Sequence, residues 1–192
     1  MLKTTLDFLQ VTFWSLTYIL MIYYWFKQKG RTKPLMPLIP GCLNLAWEIN
    51  ANFSSELFYG ALIWLCLDAI IYVQNMKAIH ARKKKFAYLV SWLALSIVIK
   101  YLFEMPVIDG KLYSVYILDI VMAGIFLVQA DLVAREGQIV IACTKLLGDL
   151  FAWLAYCDAS IFVGIIGFIV LILNIFYLSV CLERVQKKGA AQ

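Results

Sequence analysis

The sequence contains few of the residues that metal sites and catalytic triads need. Of 192 residues, 15% are charged, one is histidine and five are cysteine. His80 lies in a basic loop, so a histidine-based metal site or a Ser-His-Asp arrangement inside the apolar segments is excluded. The cysteines form no CxxC pair, and we interpret them as small apolar fillers and not as disulfides or metal ligands.

The chain is rich in hydrophobic residues, which form long runs. Hydrophobic residues make up 64% of the sequence and the mean hydropathy is +0.83, whereas a soluble domain is about 45–50% apolar. Runs of about 20 apolar residues can cross a bilayer, and only helices satisfy their own backbone there. We predict one all-α domain over residues 1–192, an integral membrane seven-helix bundle with spans at roughly 7–26, 35–54, 56–76, 86–103, 112–130, 137–157 and 160–182. Pro37, Pro40 and Gly41 predict a break or kink where the second span begins.

The basic residues lie mostly on one side of these spans. The segment KQKGRTK follows the first span and KAIHARKKK follows the third, while the opposite loops hold little positive charge. By the positive-inside rule the N-terminus is outside and the C-terminus cytoplasmic. We assign the net charge of +5 to contacts with anionic lipid headgroups. No basic face with interleaved aromatic residues predicts a nucleic-acid partner.

Glu48 is the residue of the second span that most needs an explanation. It lies one helical turn from Asn44 and from Asn52, so the three form a polar stripe. A carboxyl group inside a bilayer costs about 2–3 kcal/mol on insertion scales. No basic residue lies within a turn of Glu48 on its own helix, and burial without a cation favours the protonated form that a proton donor needs. We expect Glu48 to donate a proton, with Asn44 and Asn52 as orienting partners.

Other spans carry polar and aromatic residues at helical spacing. These are Trp64, Asp68, Tyr72 and Asn75 on the third span, Tyr116 and Asp119 on the fifth, Lys145, Asp149 and Trp153 on the sixth, and Asn174 and Tyr177 on the seventh. Ionisable groups in membrane helices face the bundle interior, which predicts a shared central cavity. Polar residues can instead join helices to one another, and we interpret Lys145 and Asp149, four residues apart, as such a structural pair.

Four segments, in order, carry a resemblance to a known family. NLAWEINANF resembles the tryptophan–glutamate motif in the second helix of the small membrane-bound terpene cyclases of fungal indole-diterpene and meroterpenoid pathways and their bacterial relatives. WLCLDAIIYV resembles the tryptophan–aspartate stretch of their third helix. LVAREGQIVIACTKLLGDLFAWL resembles the pattern linking their helices five and six, and LNIFYLSVCLER resembles their closing helix.

The resemblance implies a reaction and roles for particular residues. A prenyl chain on an aromatic or indole core is protonated at its far alkene or epoxide, closes into rings and loses a proton. Glu48 matches the family's second-helix acid. Its last-helix acid is matched by Asn174, an amide that cannot donate a proton as an acid, so the second acid is absent, unnecessary, or moved to Asp68, Asp119 or Asp149. We expect Asp68 to orient Glu48 or to stabilise charge, and Asn174 to hydrogen-bond the substrate or Glu48.

Further residues are expected to contact the substrate. Aromatic faces stabilise a carbocation by about 0.5–2 kcal/mol each. The substrate-binding candidates are Asn44, Trp64, Tyr72, Asp119, Asp149, Trp153 and Tyr177. No two acidic residues are adjacent in the sequence, so we expect no metal, no other cofactor and no diphosphate ionisation. The expected partners are a prenylated aromatic small molecule and membrane lipids.

Three other functions fit a seven-span sequence less well. A small proton-coupled transporter would use the buried acids as a relay, but the sequence has no internal repeat and an excess of aromatic residues. A retinal receptor would need a lysine in the seventh span, and a purely structural protein would leave Glu48 unexplained. We expect the bacterial cytoplasmic membrane as the location, because the chain is short and has no extra termini; a fungal protein would lie in the endoplasmic reticulum. The oligomeric state stays open.

Overall fold

The computed structural model of the protein describes residues 2–27, 38–50, 58–104, 110–128 and 137–189. Within these ranges the chain forms seven helices and no strand. They are α1 (Leu2–Lys27), α2 (Leu38–Asn50), α3 (Phe58–Ala78), α4 (Arg82–Glu104), α5 (Gly110–Val128), α6 (Gln138–Tyr156) and α7 (Ile161–Gly189). The expected all-α class is therefore confirmed, and each expected span corresponds to one helix.

The helix boundaries differ from the expected ones mainly in α1 and α7. Helix α1 starts five residues before the expected span, and α7 ends seven residues after it, so both helices include polar residues next to the apolar runs. The described part of α2 runs from Leu38 to Asn50 and includes Pro40 and Gly41. Pro37, Asn52 and most of the basic loop after α1 lie outside the described residues.

Four of the described helices are long and apolar enough to cross a membrane, judged by length and composition. They are Leu2–Lys27, Arg82–Leu102, Gln138–Tyr156 and Ile161–Gln186, and Tyr113–Val128 is a shorter apolar helix. Many large hydrophobic side chains point outward, including Ile19 on α1 and Phe168 on α7. An apolar outer surface of this kind is disfavoured in water and natural in lipid. These features are consistent with a membrane protein.

Six of the helices pack into a closed ring. Going round it, α1 contacts α6, α6 contacts α7, α7 contacts α5, α5 contacts α2, α2 contacts α3, and α3 returns to α1. Helix α4 lies outside the ring against α2 and α5. The inner faces of the ring helices therefore share one interior, and that interior holds the polar residues described below.

Helices α1 and α6 approach each other closely where they border this interior. Gly148 of α6 faces the indole of Trp14, and a Cβ on this glycine would lie 2.7 Å from Trp14 Cδ1. One turn away, the hydroxyls of Thr17 and Thr144 are hydrogen-bonded at 2.8 Å. Small residues let membrane helices approach in this way, and here they fix how Trp14 and the next turn of α1 face α6.

Candidate functional site

The first part of the candidate site is a pair of buried carboxyl groups from neighbouring helices. Glu48 of α2 and Asp68 of α3 are 1% and 2% exposed, and both carboxyl groups lie against the side-chain amide nitrogen of Asn44. Within the described part of the chain, Glu48 Oε2 and Asp68 Oδ1 have no hydrogen-bond partner, and no cation forms an ion pair with either group. Two buried neighbouring carboxyl groups without a cation repel each other when both are ionised, which favours a proton on one of them. We therefore infer that the pair holds a proton.

Asn44 connects this pair to α1. It lies one turn before Glu48, and its Nδ2 is 3.4 Å from Glu48 Oε1. The same amide nitrogen donates to Asp68 Oδ2 and to Tyr18 Oη. The amide nitrogen of Asn44 thus lies among Tyr18, Glu48 and Asp68 and links them into one cluster, and its two hydrogens serve two of the three acceptors at a time. We call Tyr18, Asn44, Glu48 and Asp68 the carboxyl pair cluster.

Tyr18 is a member of this cluster that the sequence analysis missed. Its side chain is 3% exposed, and its hydroxyl is within electrostatic reach of Glu48, Asp68 and, from α5, Asp119. The sequence feature that could have identified Tyr18 is its spacing: it lies one turn after Trp14 and next to Thr17, and all three are buried on α1. An aromatic residue on a membrane helix usually packs in the core or lies at the interface with water. The hydroxyl of Tyr18 was therefore not considered as a hydrogen-bonding group.

A second polar cluster lies between α6 and α7. Lys145 Nζ is 2.8 Å from Asp149 Oδ2 and donates to Asn174 Oδ1 at 2.9 Å. Asn174 Nδ2 in turn donates to the same oxygen of Asp149. The ion pair expected from the four-residue spacing is present, and Asn174 completes it from the neighbouring helix. We call Lys145, Asp149 and Asn174 the ion-pair cluster.

The ion-pair cluster has one unused acceptor and two aromatic neighbours. Asp149 Oδ1 is buried and has no hydrogen-bond partner among the described residues. Lys145 Nζ lies 4.9 Å from the centre of the Trp14 ring and 5.9 Å from that of Phe126. Asp119, half-buried on α5, is within electrostatic reach of Lys145 and Asp149.

The two clusters are joined through α1. The rings of Trp14 and Tyr18 contact each other edge-on with centres 5.6 Å apart. Trp14 faces Lys145, and Tyr18 bonds to Asn44. The ring interior thus contains two chemically different carboxyl environments, one holding a proton and one paired with an ammonium group, separated by two aromatic side chains.

Of the aromatic residues expected to contact a substrate, two lie in the main core. Tyr177 is fully buried and packs edge-on against Phe126, with ring centres 5.6 Å apart. Phe126 also borders Lys145, which brings Tyr177 near the ion-pair cluster. Trp64 is buried in the same core, and its indole N–H has no acceptor among the described residues. Both positions are compatible with lining the interior.

The other two aromatic candidates are committed to contacts between helices. Tyr72 stacks on Tyr88 of α4 with ring centres 5.2 Å apart, and it belongs to a smaller core outside the ring. Trp153 donates its indole N–H to the carbonyl of Gly164 at 2.9 Å. The structure does not bring these two residues together with either polar cluster, so we interpret them as packing residues.

The described part of the chain has no metal site that can be recognised from its side chains, and the comparisons with known proteins give no match. Among the described residues, no group of three or more His, Cys, Asp or Glu side chains is arranged to hold a metal ion. No family model, no curated protein and no solved structure matches the chain. The likeness to membrane-bound terpene cyclases therefore rests on the sequence motifs alone.

Proposed function

We propose that this protein is an integral membrane terpene cyclase that starts ring closure by protonating a prenyl chain. The observation that carries the proposal is the carboxyl pair cluster, in which Glu48 and Asp68 are buried side by side without a cation inside the helical ring, an arrangement that favours a retained proton. Protonation of an alkene or epoxide needs a positioned acid in a site from which water is excluded. The motif resemblance described above supports the same assignment.

In this mechanism Glu48 donates the proton and Asp68 stabilises the carboxylate that remains. The amide of Asn44 donates to both groups, so it can follow the charge as the proton leaves. The carbocation that forms then meets aromatic faces such as Trp14 and Phe126, which stabilise positive charge. After ring closure the cation loses a proton, and the product is an isomer of the substrate. The residues supply acid, orientation and a dry surrounding, and the proposed chemistry uses no metal or diphosphate.

We further propose that all seven helices cross the membrane, with the N-terminus outside and the C-terminus in the cytoplasm. The distribution of basic loops supports this orientation. Both clusters then lie within the bilayer, where a prenylated aromatic molecule is soluble and can enter from the lipid. A bacterial cytoplasmic membrane is the location we favour.

The test is an incubation of membranes with farnesylated and geranylgeranylated aromatic compounds. Membranes containing the wild type should form a product of unchanged mass, and membranes with Glu48→Gln at equal expression should not. The matched control is Asp158→Asn, at an exposed position after α6, which should behave as the wild type. Full turnover in Glu48→Gln would contradict the role of Glu48, and a wild type that forms no isomer from any substrate would contradict the cyclase proposal.

A second candidate is a small proton-coupled transporter, and one observation favours it. The hydroxyl of Tyr18 is within electrostatic reach of both Glu48 and Asp119, and Asp119 is within electrostatic reach of Asp149. This row of groups could pass protons through the interior. Proton uptake by proteoliposomes that depends on a co-transported solute, and that Glu48→Gln abolishes, would favour this function over the cyclase.

A further inference from the structure

The ion-pair cluster has no role in the protonation step, although it is the most strongly charged group of residues in the ring interior. Lys145 and Asp149 are 1% and 4% exposed. A buried ion pair contributes little to stability compared with apolar residues of the same size. Its placement beside Trp14, which also borders the carboxyl pair cluster, suggests a chemical purpose.

The two acidic environments differ in a way that assigns opposite roles. Glu48 and Asp68 share a proton because they face each other without a cation. Asp149 instead faces the ammonium group of Lys145, with Nζ and Oδ2 2.8 Å apart, and a neighbouring cation favours the carboxylate form of an acid. When two sets of titratable groups in one site are held in opposite protonation states, one is suited to act as acid and the other as base.

The geometry also leaves one oxygen of Asp149 able to react. Lys145 and Asn174 both donate to Oδ2, whereas Oδ1 is buried and has no partner among the described residues. An unpaired acceptor in such a place is costly unless something binds to it. An oxygen held ionised and otherwise unused is what the removal of a proton from a cation requires.

From these contacts we propose that Asp149 is the base that ends the reaction, taking a proton from the cyclised carbocation through Oδ1. This inference rests on the proposed cyclase function. The proton of the carboxyl pair adds to the far alkene carbon, or to the epoxide oxygen, and leaves a cation. Ring closure moves the positive charge along the chain toward Trp14. A C–H bond next to the final cationic carbon then breaks, its proton binds to Asp149 Oδ1, and its electron pair forms the product alkene.

The cycle closes when the proton on Asp149 returns to the carboxyl pair. Asp119 is within electrostatic reach of Tyr18 in the carboxyl pair cluster and of Asp149 in the ion-pair cluster, so Tyr18 and Asp119 are the groups suited to carry it. No atom is gained or lost overall, so the substrate and the product are isomers. Lys145 and Asn174 are positioning residues in this scheme, because they bind Oδ2 and leave Oδ1 without a partner among the described residues. The substrate class follows: a prenyl chain long enough to reach from the carboxyl pair to Asp149.

The test compares the products of Asp149→Asn with those of the wild type on one prenylated aromatic substrate, identified by mass and by NMR. The amide that this exchange introduces lacks a basic oxygen but keeps the size and a hydrogen-bond acceptor for Lys145. We expect substrate still to be consumed, the share of the wild-type alkene isomer to fall by about tenfold or more, and other alkene isomers or a water-trapped alcohol to replace it. Asp158→Asn, the same exchange at an exposed site, should keep the wild-type product.

A second variant covers the case in which Asp149→Asn does not fold. Lys145→Met combined with Asp149→Asn removes both charges together and avoids an unpaired buried ammonium. It should give the same changed product profile. A wild-type profile and rate in either folded variant would overturn the assignment of Asp149. Complete loss of substrate consumption in folded variants would also overturn it, because Asp149 would then belong to the initiating step.

These results separate the inference from the proposed function. If the wild type cyclises the substrate and Asp149→Asn leaves the products unchanged, the cyclase proposal stands and the inference fails. If the wild type cyclises nothing, the cyclase proposal fails first.

Discussion

Replacement of Asp149 by leucine tests the energetics of the ion-pair cluster without any substrate. The side chains of Lys145 and Asp149 are 1% and 2% exposed, and Nζ and Oδ2 are 2.8 Å apart. Removing one partner of such a pair leaves a buried, uncompensated charge, at a cost of about 3–5 kcal/mol. Asn174 also loses the acceptor for its Nδ2. We therefore expect Asp149→Leu to lower the free energy of unfolding by about 3–5 kcal/mol.

The double variant Lys145→Met/Asp149→Leu should recover most of that loss. Replacing both charges with apolar side chains of similar size is often neutral or stabilising, although Asn174 would keep an unsatisfied amide at a cost of about 1–3 kcal/mol. The measurement is reversible unfolding in mixed detergent micelles, followed by tryptophan fluorescence, for a complete double-mutant cycle. Asp158→Leu serves as the exposed control and should change stability by less than about 0.5 kcal/mol. A loss below about 1 kcal/mol for Asp149→Leu, or no recovery in the double variant, would refute the buried pair.

Three further predictions concern the ring interior. Asp68→Asn should lower the rate of isomer formation at least about tenfold, or about 1.4 kcal/mol in activation free energy, measured as initial rates at equal expression; an unchanged rate would remove Asp68 from the site. Asn44→Leu should lower both rate and thermal stability, because it breaks the bonds to Tyr18 and Asp68; a stable and fully active variant would contradict the bridging role. Gly148→Ala should destabilise by about 1–3 kcal/mol, because its Cβ would lie 2.7 Å from Trp14. Gly124→Ala, with nothing within 4 Å of the added Cβ, is its control, and equal melting temperatures would contradict the close α1–α6 contact.

The sequence was sufficient to predict the helices, because hydropathy and run length act locally. Each expected span became a helix, and the four-residue spacing of Lys145 and Asp149 predicted their ion pair. The stripe of Asn44 and Glu48 was likewise visible from helical periodicity. These features depend only on residues within one helix, so no knowledge of helix packing was needed.

Most contacts between helices could not be read from the sequence. Asp68 was expected to act beside Glu48, but nothing local indicates that Tyr18 reaches Asn44 from α1 or that Asn174 bonds to Asp149. Each depends on which helices are neighbours in the ring and on their rotation. Trp153 is an example in which a local pattern gave an incomplete picture. Its polar neighbours on α6 suggested a place in the site, whereas its indole N–H donates to a backbone carbonyl of α7.

The central claim is that Glu48 and Asp68 share a proton, and infrared spectroscopy of the purified protein at neutral pH tests it most directly. A protonated carboxyl group has a C=O absorption that is distinct from that of a carboxylate and shifts in D2O. The wild type should show such a band, Asp158→Asn should retain it, and the double variant Glu48→Gln/Asp68→Asn should lose that part of the absorption. Identical protonated-carboxyl absorption in the wild type and the folded double variant would contradict the claim.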